Sequence, residues 1–287
     1  MNILFLTSWY PSRTKPGAGV FVKDWARAAS LLNEVVVLTW TGVDPPARDT
    51  IELSDAIEDG IRTLRVRYRP SRLRGVAQLR LLRGLATGVR RLIAEGWRPD
   101  VIHAHVYSSG FYAVLIGAWF KIPVVITEHY SGFPRGLIRG IEKTKAKFAF
   151  RRAQRVIAVS KNLATYLESY GAHNIAVIPN PVDTSMFSPG SHNKHDASQV
   201  ASRALFVGGL VAIKNAGSLL RAIEVVRKHH PEVPLTIVGD GEVRKDLENL
   251  SRDLGINEHV HFLGRKDKVE VAAIMRESDF LVLPSLW

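Results

Sequence analysis

The residues best suited by type and spacing to do chemistry lie in two stretches. The first is RALFVGGLVAIKN, residues 203–215. A short apolar run, Ala204 to Val207, breaks at Gly208-Gly209, and Lys214 stands just before a helical pattern that starts near Ser218. Strand, glycine turn, lysine, helix is the order in which backbone N–H groups and a helix N-terminus approach a phosphate, with the lysine adding a point charge. The same turn serves equally as an ordinary βα connection, because glycine-rich turns are common in doubly wound folds. The second stretch is VVITEH, which sets Glu128 and His129 at the end of an apolar run. Ligands bind at the carboxyl ends of strands in open α/β sheets. A neutral imidazole there can donate or accept a hydrogen bond with a hydroxyl, although a loop carbonyl would satisfy it as well. His103 and His105 fall on one face of their own strand, and one of them reads as a packed structural histidine.

Several chemistries are disfavoured. The chain has no Asp-x-Asp pair, no His-Glu-x-x-His and no cysteine, so no metal or disulfide is expected. Gly-x-Ser-x-Gly and a Walker loop are absent, which weighs against a hydrolase or a P-loop ATPase. Gly17-Ala18-Gly19 is not a dinucleotide fingerprint. Its third glycine is missing, the loop before it is long, and the second strand ends in Thr39-Trp40-Thr41 without an acid for a ribose. No cofactor is therefore expected.

The elements that must position these residues follow from apolar pattern. Strands are expected at 2–7, 34–39, 61–68, 101–104, 123–127, 156–159, 175–178, 204–207, 235–238, 260–263 and 280–283. Helices are expected at 20–32, 75–95, 108–120, 136–152, 161–169 (capped by Ser160), 218–229, 243–254 and 268–277. Residues 43–60 read as a polar, proline-containing loop. This is an α/β chain of two Rossmann-like halves: residues 1–180, a polar linker at 181–202, and residues 203–287, with the two halves expected to face a cleft. The second half has only four strands, and its last strand has no helix behind it, so it reads as incomplete.

At 287 residues and 46% apolar, both halves can fill a core. The opening MNILFLTSWYPS has no basic lead and reads as a strand, and no apolar run approaches the ~20 residues of a membrane span. A cytoplasmic location is expected, with peripheral placement on the inner membrane face. The net charge of +12 invites nucleic acid, an anionic membrane or a phosphorylated substrate as partner. Eleven arginines and one acid fall between Arg62 and Arg98, and eight basic residues and one acid between Arg135 and Arg155. On the helix at 75–95, Val76, Leu79, Leu82, Ala86, Val89 and Ile93 read as the apolar stripe, leaving Arg80, Arg83, Arg90 and Arg91 elsewhere.

Taken jointly, NILFLTSWYPS with GAGVFVKDWARA, then DVIHAH, VVITEH, RVIAVSKNL, VIPNPVD, FVGGLVAIKN, IVGDG, VHFLGR and FLVLPS occur in the order seen in one family. The sequence resembles a family 4 (group 1) glycosyltransferase of the retaining, metal-independent GT-B class. That resemblance implies a transferase moving a sugar from a nucleotide-sugar donor to a saccharide or lipid-linked acceptor, in polysaccharide or glycoconjugate biosynthesis. It implies that His129 lies near the reacting sugar and that Gly17 and Gly19 approach the transferred group. It implies that Lys214 pairs with the donor pyrophosphate beside Gly208 and Gly209, and that Gly239, Gly241, Gly264 and Arg265 line the nucleotide pocket. It also implies that Lys214 and His129 look at one another across the cleft. Arg80, Arg83, Arg90, Arg91, Lys143 and Lys147 would meet the acceptor or an anionic leaflet.

Two departures bear on activity. Gly209 stands where the family often has arginine, so Lys214 is expected to act as the sole side-chain clamp, and the acidic donor segment that the family carries beyond Pro284-Ser285 is not among these residues. The sequence therefore reads as C-terminally truncated, and little transfer is expected from the 287 residues alone. The competing readings are a non-catalytic relative that binds acceptor or membrane, and a nucleic-acid binder. The latter is disfavoured because the arginine helix lacks interleaved aromatics.

Overall fold

The computed structural model describes residues 1–12, 14, 17–41, 51–69, 74–189 and 202–286. Residues 43–50 of the expected loop and residues 190–201 of the expected linker lie outside the described residues. The chain divides into two compact units, Met1–Pro181 and Val182–Trp287.

The first unit is a sheet of eight strands: β1 (Asn2–Thr7), β2 (Glu34–Thr41), β3 (Ile51–Glu58), β4 (Ile61–Tyr68), β5 (Val101–His105), β6 (Val124–Glu128), β7 (Arg155–Ala158) and β8 (Ile175–Val177). Their spatial order is β3-β4-β2-β1-β5-β6-β7-β8, parallel throughout except that β3 runs antiparallel to β4. The helices are α1 (Val20–Ser30), α2 (Arg74–Ala94), α3 (Tyr107–Phe120), α4 (Gly140–Arg152) and α5 (Lys161–Glu168). Continuous apolar runs such as ILFL and VVVL form the central strands because a parallel strand is buried on both faces. Leu4, Leu6, Leu38, Leu64, Ile102 and Ile126 face a core closed by α2 to α5, and Phe5, Val37 and Ile61 face a smaller core under α1. Strand order reverses between β1 and β5, and the crevice at such a switch point is where ligands bind in these sheets.

The second unit is a four-stranded parallel sheet: β9 (Ala204–Val207), β10 (Leu235–Val238), β11 (Val260–Gly264) and β12 (Phe280–Leu281), in the order β11-β10-β9-β12. Helices α6 (Ala216–Arg227), α7 (Arg244–Asp253) and α8 (Lys268–Glu277) connect them. A capping box between Asp267 and Glu270 starts α8. Its switch point lies between β9 and β12, directly beyond Val207.

Four expectations are corrected. Residues 51–58 form strand β3 where the sequence reads as loop. IELSDAIE is polar because it is an edge strand, and pairing with β4 supplies what its composition does not. That pairing also revises the charge count. Arg62 bonds Asp55 and Glu95, Arg65 bonds Glu58, and Arg67 bonds Glu52. Arg91 is held by Asp55 and Glu95. Three of the four acids that hold these four arginines, Glu52, Asp55 and Glu58, lie outside a window starting at Arg62. The apolar stripe of α2 is Leu81, Leu85, Ala86, Val89 and Leu92, whereas Val76 and Leu79 are exposed. Helix α4 begins at Gly140 and not at Gly136, where a φ of 65° turns the chain out of the helical region.

Candidate active site

In the first unit three histidines line up on one face of the sheet. His103 and His105 share a face of β5, as residues two apart must. Register pairs His105 with Thr127 of β6, and the pleat brings His129 to the same side two residues later. His103 Nε2 lies 2.6 Å from Thr127 Oγ1, and His105 Nδ1 lies 2.9 Å from His129 Nε2. The rings of His105 and His129 are stacked, with centroids 5.2 Å apart, and Phe5 stacks on His105 at 5.0 Å. Trp25 of α1 closes over His103 and His105, and Phe21 lies 4.4 Å from His129. Burial pulls His103 down to about 3 and His129 to about 4, and it holds His105 well below the usual histidine range. All three are neutral at pH 7.

Glu128 organises the turn beside them. It is fully buried, and its carboxyl accepts three backbone N–H groups: Tyr107 at 2.7 Å, His129 at 2.9 Å and Tyr130 at 2.9 Å. Burial pushes Glu128 up to about 7 against these three donors, which favour the carboxylate. One of the N–H groups opens α3 directly after Val106, a β-branched residue held at φ 64°. Such a conformation costs ~1–3 kcal/mol and persists only when its surroundings over-determine it. The Glu128 bond and the hydrogen bond from Ser8 N to Ser109 Oγ, 3.0 Å, tie this βα turn to its neighbours at the switch point. Glu128 therefore orients the loop that carries His129 and is not solvated.

Gly19 caps α1 at φ 67°, and a Cβ there would overlap the carbonyl of Trp9. That close approach folds the loop after β1 back on itself, so Trp9 packs on Phe21 and Tyr130 beside His129. Gly17 lies in the exposed turn just before it. Trp25 Nε1 donates to Asn180 Oδ1 at 3.0 Å, which brings a residue from the end of this unit to the same place. Neither Asn180, Trp25 nor Phe21 is marked out by sequence spacing; the shared aromatic pocket is the signal, and only folding assembles it.

In the second unit the loops after β9, β10 and β11 are stitched together at the carboxyl edge. Gly208 N donates to Val238 O, Gly239 N to Gly264 O, and Leu210 N to Asp240 O. Gly239 has φ 141°, and a Cβ on it would overlap the Gly208 carbonyl. Gly241 also meets this group, against Leu210. Lys214 ends a short 3₁₀ turn, Ala212–Lys214, immediately ahead of α6. It is half-buried and forms no ion pair among the described residues. The cap residue Asn215 is left-handed and leaves the first N–H groups of α6 without a side-chain acceptor. Arg265 is exposed after β11 and also unpaired among the described residues, whereas the nearby Arg244 is held by Asp240 and Glu248. So Gly208, Gly209, Lys214, Gly239, Gly241, Gly264 and Arg265 gather at one edge of this sheet, while Gly17, Gly19 and His129 gather at one edge of the other. Among the described residues no three His, Asp or Glu side chains converge as a metal-binding group.

The sequence matches Glycosyltransferase Family 4 over residues 16–186 and Glycosyl transferases group 1 over residues 190–287. The chain belongs to glycosyltransferase family 4. The glycosyltransferase is 26% identical to a glycogen synthase of Mycobacterium tuberculosis over 99% of this chain and 72% of that protein. It is 27% identical to an Escherichia coli UDP-Gal:alpha-D-GlcNAc-diphosphoundecaprenol alpha-1,3-galactosyltransferase over 82% of this chain and 63% of that one. Its fold superposes on sucrose-phosphate synthase from Thermosynechococcus elongatus with a TM-score of 0.72 at 19% identity, covering 100% of this chain and 76% of that one. Anabaena HepE in complex with UDP and glucose gives 0.69 at 20%, covering 99% and 74%. The α/β architecture of the glycosyltransferase is that of the GT-B enzymes. No helix among its described residues is long and apolar enough to cross a membrane.

Proposed function

We propose that this glycosyltransferase moves a sugar, with retention and without a metal, from a nucleotide-sugar to a saccharide or lipid-linked acceptor in polysaccharide or glycoconjugate assembly. The observation that carries the reading is Lys214: a half-buried cation with no carboxylate partner among the described residues, at a sheet switch point, beside a glycine turn and the N-terminus of α6. A nucleoside diphosphate gains negative charge as the glycosidic bond breaks. Fixed cations and N–H dipoles at that spot stabilise the leaving group in the place a metal would otherwise take. In this reading Arg265 and the glycines 208, 209, 239, 241 and 264 form the rest of the donor site. Gly17, Gly19 and His129 belong to the wall where the transferred sugar meets its acceptor. Residues 1–180 then form the acceptor-side domain, 181–202 the linker and 203–287 the donor-side domain.

Titration calorimetry against a panel of nucleotide-sugars tests the lysine directly. A charge-assisted hydrogen bond is worth ~1.5–3 kcal/mol, so Lys214→Ala weakens binding of the cognate donor by about 10- to 100-fold. Unchanged affinity in a folded variant would sink the assignment.

The basic helices support a peripheral role. Arg91 is engaged by Asp55 and Glu95, but Arg83 is exposed without a partner among the described residues. Arg90 lies over the exposed ring of Trp119, 4.7 Å from its centroid, and Lys143 over Tyr170 at 5.8 Å. Each cation near an anionic leaflet contributes ~1 kcal/mol, so Arg83, Arg90, Lys143 and Lys147 suffice for reversible docking. The expected result is sedimentation with anionic but not neutral vesicles, lost on reversing Arg83 and Arg90 to glutamate. Equal sedimentation with both vesicle types counts against docking.

A further inference from the structure

Helices α2, α3 and α4 cover one face of the first sheet, with α3 packed between the other two. Both α2 and α4 follow strands that run parallel to the rest, so each begins at the carboxyl edge, the edge that carries His129, and runs back toward the amino edge. On both helices the exposed large apolar residues fall at that starting end. Val76 and Leu79 are exposed on α2, whose buried apolar residues begin only at Leu81. Leu137, just ahead of α4, and Ile141, in its first turn, are 48% and 65% exposed. Cations follow within two turns: Arg83 on α2, and Lys143 and Lys147 on α4.

A rise of ~1.5 Å per residue sets Arg83 ~6 Å behind Leu79, and Lys143 and Lys147 ~3 Å and ~9 Å behind Ile141. That spacing fits a lipid surface, where an apolar face sinks ~5–10 Å into the boundary of headgroups and acyl chains and the phosphates lie above it. Charge points to the same partner. Across α2, α3 and α4 the sole acid is Glu142, and it is held by Lys145 and Tyr107, so this face offers no free carboxylate to repel an anionic surface. Single exposed apolar residues are ordinary. Here they stand at one end of two helices, ~20 Å apart by the usual helix spacing, which makes a two-point contact. The exposed Trp119 is at the other end, on the last turn of α3 under Arg90, and is the rival anchor.

We propose that the first unit docks on an anionic lipid surface by its carboxyl edge, with Leu79 and Ile141 sunk among the acyl chains and Arg83, Lys143 and Lys147 on the phosphates. The proposal rests on the membrane docking read above and adds its direction. Edge-on docking sets Arg90 ~16 Å behind Leu79, more than one screening length of ~8–10 Å from the lipid. A unit lying flat on its helices would press Arg83 and Arg90 on the surface alike. Edge-on docking also lowers the loop that links His129 to α4 to headgroup level, where the polar head of a lipid-borne acceptor sits.

The chain has no cysteine, so one introduced cysteine carries a polarity-sensitive fluorophore to a chosen position. On phosphatidylglycerol vesicles, labels at Leu79→Cys and Ile141→Cys should shift to the blue and be quenched by nitroxide-bearing acyl chains. A label at Ala94→Cys, exposed at the amino-edge end of α2, should do neither. Arg83→Glu should weaken vesicle binding about 10-fold or more, and Arg90→Glu by much less. The pair Leu79→Ser and Ile141→Ser should weaken it by about 10-fold with its salt dependence unchanged, because what is lost is apolar burial and not charge. All these positions are exposed, so the variants keep the fold. Quenching at position 94 and not at 141, or equal losses from Arg83→Glu and Arg90→Glu, overturns the proposal while vesicle binding itself persists. No sedimentation of the unaltered protein with anionic vesicles overturns the docking reading and this proposal together. The Lys214 titration bears on the donor reading alone.

Discussion

Gly239→Ala is expected to lower the melting temperature of the second unit by at least about 10 °C, the shift that a loss of ~2 kcal/mol or more produces in a domain of this size. The cause is backbone against backbone. A Cβ at 239 would overlap the Gly208 carbonyl, and φ of 141° is a conformation that residues with a side chain rarely adopt. The hydrogen bonds from Gly239 N to Gly264 O and from Gly208 N to Val238 O join three strand ends, so relief of the overlap must open the Gly208-Gly209 turn itself. Donor binding should fall together with stability. By contrast, a Cβ at Gly209 meets nothing within 4 Å, so Gly209→Ala is the matched control and should melt like the unaltered protein. Equal melting of the two variants by circular dichroism would show that the stitched loops are softer than their geometry implies.

The second large effect is expected at Glu128. Glu128→Leu preserves bulk but removes the acceptor for the N–H groups of Tyr107, His129 and Tyr130. Each buried donor left unpaired costs ~1–3 kcal/mol, so a loss of at least about 3 kcal/mol is expected in chemical denaturation, enough to unfold a marginal domain. Glu128→Gln should fall between. Its single carbonyl can replace the oxygen that serves His129 and Tyr130, but its amide N–H₂ then confronts the N–H of Tyr107. Because that bond holds the strained Val106 at the start of α3, the glutamine variant should also show faster amide exchange at residues 106–110. A glutamine variant as stable as the original would mean that the site does not need a carboxylate.

Both effects concern loops at the carboxyl ends of strands, and there the sequence was least informative. The regular elements were legible. Buried parallel strands read as continuous apolar runs, helices as 3.6-residue periodicity, and β1, β4, β9, β10 and α8 begin and end where those patterns do. Strand β3 was not, because an edge strand needs no apolar face; its identity lies in what it pairs with. The helix α2 carries leucines on more than one side, so its composition fits several stripes. Its packing selects Leu81, Leu85, Val89 and Leu92.

The amino-acid order by itself determined the α/β class, the two Rossmann-type series, the glycine-lysine turn at 208–214 and a histidine at the end of β6. These depend on local pattern, which neighbouring residues are enough to specify. Only the tertiary structure decided that acids at 52, 55 and 58 neutralise arginines of the next strand. It alone decided that Glu128 holds three N–H groups, that Gly239 must lie against Gly208, and that His105 touches His129 across 24 residues of chain. Such contacts arise from strand order and register, which are set by the burial of whole faces at once and leave no trace in the spacing of any single stretch.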